Sequence, residues 1–280
     1  MKFGVSLPVR ELQNNLTAIR DFAQMAEGLG LNHLRVPEQI IRANGNHLHE
    51  SMMMLAYIAA ITKKIQLVPS VVILPARQTA LFAKQAAELD VLSNGRVRLG
   101  VGVGSNEDEY AALGIDFHSR GRRCNEQIRL LKKLWSEEAV NFDGEFHNIY
   151  NVGINPLPVQ RPIPLWIGAR ALPNKSVVRR IGQLSDGWFV LCDPNQYSEL
   201  CDQIAAEAEA VGRSADNLGR EAGVAVAGPR ESEWQDRVIG WYEKGLTHLC
   251  LRTLGGQLSA SEHLAKLEQA VKSIPDIVRK

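Results

Sequence analysis

Charge of one sign is what this 280-residue sequence lacks: 32 Lys and Arg stand against 31 Asp and Glu, a formal net charge of +1 with histidine neutral. A protein that bound a polyanion by neutralising phosphates would carry a basic excess or stripe, and neither a net excess nor a Lys/Arg run is present. Nucleic acid and anionic membrane surfaces are therefore not expected as partners. Cysteine is scarce too. Cys124, Cys192, Cys201 and Cys250 show neither a CxxC spacing nor the density of a disulfide scaffold, so free thiols in a reducing cytosol are expected. Aromatic residues make up only 6% beside 45% apolar and 22% charged, the balance of an ordinary soluble globular chain rather than a disordered, collagenous or membrane one. The first apolar run is broken at Pro8, too early for a secretory h-region or a spanning helix, and a cytoplasmic location is expected.

What the chain has is one pattern repeated along its length: a short apolar run, then a segment with helical spacing. Residues 2–7 are followed by Leu16, Ile19, Ala23, Ala26 and Leu29, one face of a helix that stops at Gly30. Seven more units follow: 33–36 with 52–62, 65–68 with 79–92, 97–103 with 123–135, 165–167 with 175–184, 187–191 with 195–211, 222–227 with 231–244, and 248–252 with 259–278. Two stretches fall outside the pattern. Residues 38–51 form a long loop rich in Asn and His, and residues 141–164 hold Gly144, Gly153 and four prolines and read as an irregular insertion.

Short, near-continuously apolar strands in series with helices call for a parallel sheet buried on both faces. Length alone leaves two modest domains or one barrel open, and the count of eight units favours the barrel over an open doubly wound sheet. The expected fold is α/β, a single (β/α)8 TIM barrel over residues 1–280, with insertions after strands 2 and 4 and before strand 5. Its active site would lie at the carboxyl ends of the strands.

At one such end stands Leu99-Gly100-Val101-Gly102-Val103-Gly104-Ser105. Alternating glycines let a ligand approach the backbone closely, or relieve crowding inside a barrel strand. A dinucleotide fingerprint fails here, because the third glycine position falls on Ser105 counting from Gly100 and on Glu107 counting from Gly102.

The run from Leu89 through Ser93-Asn94-Gly95-Arg96 to Gly104, with Asp108-Glu109-Tyr110 and Leu113-Gly114 after it, resembles the signature of the luciferase-like monooxygenase superfamily. Phe142-Asp143-Gly144, Pro164-Leu165-Trp166-Ile167-Gly168 and Ser185-Asp186-Gly187-Trp188 follow in the order that family shows, and the likeness runs from residue 2 to about 252. The resemblance implies an eight-stranded barrel binding coenzyme F-420, which the motif pattern and short length favour, or reduced FMN. It implies that Ser70 and Val71 bend the backbone against the back of the cofactor ring, often through a non-proline cis peptide. It further places Gly104, Ser105 and Asp108 near the pyrimidine and ribityl part, and makes Gly168, Ala169 and Arg170 the phosphate-binding turn. Free backbone N–H groups ahead of a helix, with an arginine, suit a phosphate on physical grounds as well.

Glu38 and Gln39 occupy the place where the family commonly has an acid followed by a catalytic His. Glutamine donates and accepts hydrogen bonds but is no general acid near neutral pH, so His47 or His49 would have to substitute. Glu38, Gln39 and His49 are the candidate catalytic residues. Two histidines two apart with no further ligand set do not make a metal site, and none is expected. Glu107, Asp108 and Glu109 read as a solvated charge run, and Met52-Met53-Met54 as helix core.

The function implied is hydride transfer between F-420 and a small organic substrate. An FMNH2-dependent monooxygenase using oxygen is the alternative, with a flavin reductase as partner. A non-catalytic flavin-binding protein and a phosphate-binding barrel isomerase or lyase are alternatives of other classes. Relatives often form homodimers, and the sequence leaves a monomer open.

Overall fold

In the computed structural model, residues 1–41, 47–168 and 174–278 are described. Strands and helices alternate along the chain: β1 (Lys2–Ser6), α1 (Val9–Leu12), α2 (Leu16–Gly28), β2 (His33–Val36), α3 (Ser51–Ile61), β3 (Gln66–Pro69), β4 (Val72–Ile73), α4 (Thr79–Leu92), β5 (Leu99–Gly102), α5 (Glu107–Ala112) and α6 (Arg120–Leu134). Then come β6 (Val140–Asp143), β7 (Asn148–Val152), β8 (Leu165–Gly168), α7 (Lys175–Leu184), β9 (Gly187–Val190), α8 (Tyr197–Glu209), β10 (Gly219–Ala225), α9 (Trp234–Glu243), β11 (His248–Arg252) and α10 (Ala260–Lys272).

Nine strands form one sheet in the order β3-β2-β1-β11-β10-β9-β8-β5-β4, every neighbouring pair parallel. The sheet closes on itself where Leu67 of β3 exchanges hydrogen bonds with the chain entering β5: Leu67 N donates to the Arg96 carbonyl at 2.8 Å and Arg98 N to the Leu67 carbonyl at 3.0 Å. β3 and β4 are two halves of one strand, interrupted at Ser70 and Val71. Counting them as one gives the eight-stranded barrel that the repeated pattern predicts.

Local chemistry sets the element ends. Asn15 caps α2 by accepting from Ala18 N at 3.0 Å, Ile19, Phe22, Ala23 and Ala26 turn inward, and the helix closes at Gly30, whose φ of +77° suits a residue without a Cβ. Ser259 and Glu262 form a capping box at α10.

One expectation is overturned. The stretch 141–164 is not irregular throughout, because β6 and β7 pair there as an antiparallel ribbon. Its turn is gripped by a carboxylate: Glu126 of α6 accepts from Glu145 N (2.8 Å), Phe146 N (2.9 Å) and His147 Nδ1 (2.8 Å). A Cβ on Gly144 would come within 2.5 Å of Glu126 Cδ, so glycine there serves the grip rather than breaking the strand. The strand expected at 222–227 starts earlier, at Gly219, which with Gly187 leaves room for the indole of Trp166. All four cysteines are free, Cys124 and Cys250 buried and the other two half-buried. Among the described residues no helix is long and apolar enough to cross a membrane.

Candidate active site

The interruption of the third barrel strand builds the shelf of the site. Pro69 ends β3, the Ser70–Val71 peptide bond is cis, and pairing resumes at Val72. The alternating glycines of β5 lie beneath this break. A Cβ on Gly100 would run into the Pro69 carbonyl and the Phe189 ring, and one on Gly102 would meet Val71 Cγ2 at 2.8 Å. Gly168 is crowded by the same valine, at 2.7 Å from Cγ1. These glycines therefore answer to crowding, Gly102 and Gly168 by seating Val71. Gly104, at φ +64°, ends the series against Ile73.

Under the shelf lies a charged cluster that reading the sequence did not single out. Arg35 donates from Nε to Ser70 Oγ at 2.8 Å, a second contact running from Nη2 to the same oxygen, and from Nη1 to Glu221 Oε1 at 3.1 Å. Glu221 also accepts from His33 Nε2 (3.1 Å) and, on Oε2, from Arg98 Nη1 (2.7 Å). Arg98 lies 4.0 Å over the Trp166 ring and Arg35 4.5 Å over Phe189. Burial alone would raise the Glu221 pKa, but His33, Arg98 and Arg35 outweigh it and hold the carboxyl well below the ordinary range. Burial, with the nearby guanidiniums, lowers His33 despite Glu221. The sequence did carry a signal: His33 and Arg35 sit two apart, the spacing of residues sharing one face of a strand, inside an otherwise apolar run.

His33, Glu221 and Cys250 each place a possible ligand atom within 4.8 Å of the others. Two guanidiniums already occupy Glu221 and oppose a cation, and burial pushes the Cys250 thiol up to about 11, so it stays protonated.

Glu38 is buried with both oxygens engaged. Oε1 accepts from Ile73 N (3.1 Å), and Oε2 from Ser51 Oγ and Arg77 Nη2 (both 2.5 Å). Burial raises its pKa against the pull of Arg77. Gln39, its neighbour, has a buried Oε1 with no partner. His49 Nε2 donates to the Gln13 carbonyl at 2.9 Å. Ser105 and Asp108 are exposed at the start of α5, where Asp108 N donates to Asn106 Oδ1 at 3.2 Å. The neighbouring charge run is not all solvated. Glu109 is buried and accepts from Ile40 N (2.9 Å) and Ile41 N (3.3 Å), fastening the loop after β2 to α5. Ala169 and Arg170 lie outside the described residues.

A cleft of about 710 Å³ opens at the carboxyl ends of the strands, lined by Ser6, Arg35, Ser70, Phe189, Glu221 and Arg252 among others. Of the expected site residues that are described, Ser70 alone lines it. Val71 and Gly168 touch one another beside it, while Glu38, Gln39 and His49 belong to the loop following β2. A volume of this size suits a small-molecule site. The shelf and the guanidinium at Ser70 fit a planar ring edged with polar atoms.

A family model described as luciferase-like monooxygenase matches residues 1–274. An F420-dependent glucose-6-phosphate dehydrogenase of Kineococcus radiotolerans is 32% identical over 211 residues, covering 72% of this chain and 61% of that protein's own length. Among solved structures, an F420-dependent secondary alcohol dehydrogenase in complex with an F420-acetone adduct superposes with a TM-score of 0.82 over 98% of this chain and 99% of the other, at 14% identity. A monooxygenase from Streptomyces bottropensis superposes with a TM-score of 0.78 over 97% and 98%, at 20% identity. At those identities the two structures speak to the fold alone.

Proposed function

The chain belongs to the luciferase-like monooxygenase family, and on that footing we propose that it is an oxidoreductase using coenzyme F-420 to move a hydride to or from a small organic substrate. The observation that carries this reading is the shelf: Ser70 and Val71, seated on Gly102 and Gly168 and held from below by Arg35, beside a cleft of matching size. The named relative that is 32% identical uses F420, which favours the deazaflavin over FMN. When bound, the cofactor supplies the hydride-accepting or hydride-donating carbon.

The chain's own residues bind, orient and exclude water. Val71 backs one face of the ring, and Arg35 fixes Ser70 at its edge. Gly104, Ser105 and Asp108 flank the cofactor's ribityl side, and its phosphate is assigned to Gly168 with Ala169 and Arg170, the last two lying outside the described residues. Glu38, saturated by Ile73, Ser51 and Arg77, positions the loop that carries Gln39, the residue standing where the family commonly has a catalytic His. His49 ties the same loop to the end of α1 through Gln13.

The test is spectroscopic. Purified protein is titrated separately with F-420 and with reduced FMN, and candidate alcohols are then added while the deazaflavin's visible absorbance is followed. Micromolar F-420 binding with bleaching by an alcohol is the expected result. Binding of FMN alone, or of neither, overturns the proposal.

A further inference from the structure

The cleft continues from the shelf to a second wall that is basic. Arg10 of α1, Arg230 after β10, Arg237 and Lys244 on and after α9, and Arg252 at the end of β11 line it. The whole chain carries a formal charge of +1, so this concentration is local rather than a reflection of composition. The acids of the lining do not offset it. Glu221 is already matched by Arg35 and Arg98, and Asp193 is turned to its own backbone, accepting from Asn195 N at 2.8 Å. Arg230 pairs with Glu233, at 2.8 Å from Nε and 2.6 Å from Nη2. Among the described residues, Arg10, Arg237, Lys244 and Arg252 pair with no carboxylate.

The cations crowd one another. Burial and then Arg230 and Arg252 lower the Arg237 pKa, an unfavourable arrangement that a bound anion would relieve. Gly223 of β10 gives Arg252 its place, since a Cβ there would lie 3.3 Å from its Nε. Forked guanidiniums converging on one space match the oxygens of phosphate or carboxylate.

We propose that Arg230, Arg237 and Arg252, with Arg10 and Lys244 around them, bind a phosphate or carboxylate group of the substrate and so direct its reacting carbon toward the Ser70–Val71 shelf. The inference rests on the shelf holding the cofactor ring. A phosphate or carboxylate could come from the substrate or from the cofactor's own side chain. The positions favour the substrate: in the proposed function the cofactor's phosphate is assigned to Gly168 and its sequence neighbours at the end of β8, whereas the basic wall is built on β10, β11, α1 and α9, with β9 lying between β8 and β10 in the sheet. The substrate class is therefore small phosphorylated or carboxylated alcohols and carbonyl compounds.

Calorimetric titration with inorganic phosphate, with and without saturating F-420, tests this. Phosphate is expected to bind in both conditions, Arg237→Ala and Arg252→Ala to weaken it by about tenfold each, and F-420 affinity to stay within about twofold. Arg122→Ala, which removes an exposed arginine paired with Glu145, should change neither. Absence of phosphate binding, or binding indifferent to Arg237, overturns the proposal. Displacement of phosphate by F-420, with F-420 weakened by Arg237→Ala, assigns the anion to the cofactor and overturns it as well. Failure of F-420 to bind while phosphate binding still depends on Arg237 defeats the cofactor reading and leaves the anion subsite standing.

Discussion

Arg35 and Ser70 belong to different barrel strands, 35 residues apart, and the guanidinium of the first holds the hydroxyl of the second through Nε at 2.8 Å. The shelf is thereby anchored from the neighbouring strand rather than by its own loop. Arg35→Met should weaken F-420 binding by about tenfold, the loss of one charge-assisted contact's worth of positioning. Arg35→Lys keeps a charge for Glu221 but cannot serve two partners with a fork, so it should recover stability and not affinity. Fluorescence titration of the cofactor beside denaturant unfolding separates the two, and equal recovery of both by lysine would contradict the positioning role.

Glu221 is the single acid between a buried guanidinium, a half-buried one and a buried imidazole. Glu221→Gln removes the charge while nearly keeping the shape, leaving Arg35 and Arg98 uncompensated in the barrel interior. Unfolding free energy should fall by about 3–5 kcal/mol. A loss under about 1 kcal/mol in urea unfolding would show that water reaches the cluster and screens it.

Gly102→Ala places a methyl against Val71 Cγ2, where only 2.8 Å is available. Valine is stiff at χ1 and has no easy way to yield, so a cost of about 1–3 kcal/mol is expected, with weakened cofactor binding as the shelf is pushed out. Val71→Ala in the same chain should recover most of the stability. A double-mutant cycle reads the coupling, and strictly additive losses would mean that the two side chains do not meet.

His248 is driven down to about 3, by burial first and then by Arg98 and His33, and His33 is lowered in the same direction. His248 stays neutral in the folded chain, and His33 is held toward its neutral form, while an unfolded chain takes up protons near the ordinary imidazole value of about 6.5. The unfolded state then binds more protons, so stability is full above neutral pH and declines as pH falls below about 6.5. His248→Gln should make the fall in melting temperature between about pH 6.5 and pH 4 shallower. An unchanged slope would place the responsible protons elsewhere.

The order of strands and helices was legible because burial on both faces leaves continuous apolar runs that composition alone exposes; α7 begins and ends where its spacing predicts, at Lys175 and Leu184. The β6–β7 ribbon was not, since its turn depends on Glu126, eighteen residues before Gly144 and on another element. The place of Ser70 and Val71 came from family likeness, and nothing in those two residues by themselves marks a break in a strand. Arg35, Arg98 and Glu221 went unremarked for a related reason. Each sits in or at the edge of a short strand, and only closure of the barrel brings residues separated by 123 and 186 positions onto one carboxylate. Glu109 shows the converse: its flanking acids suggest solvent, and two backbone amides from the loop after β2 claim it.

Val68, Trp166 and Phe189 pack as a buried cluster inside the barrel, with Arg98 stacked on the indole. They make a floor. The interior is thus filled below Ser70, and a ligand seated on the shelf rests on packed side chains rather than over open space.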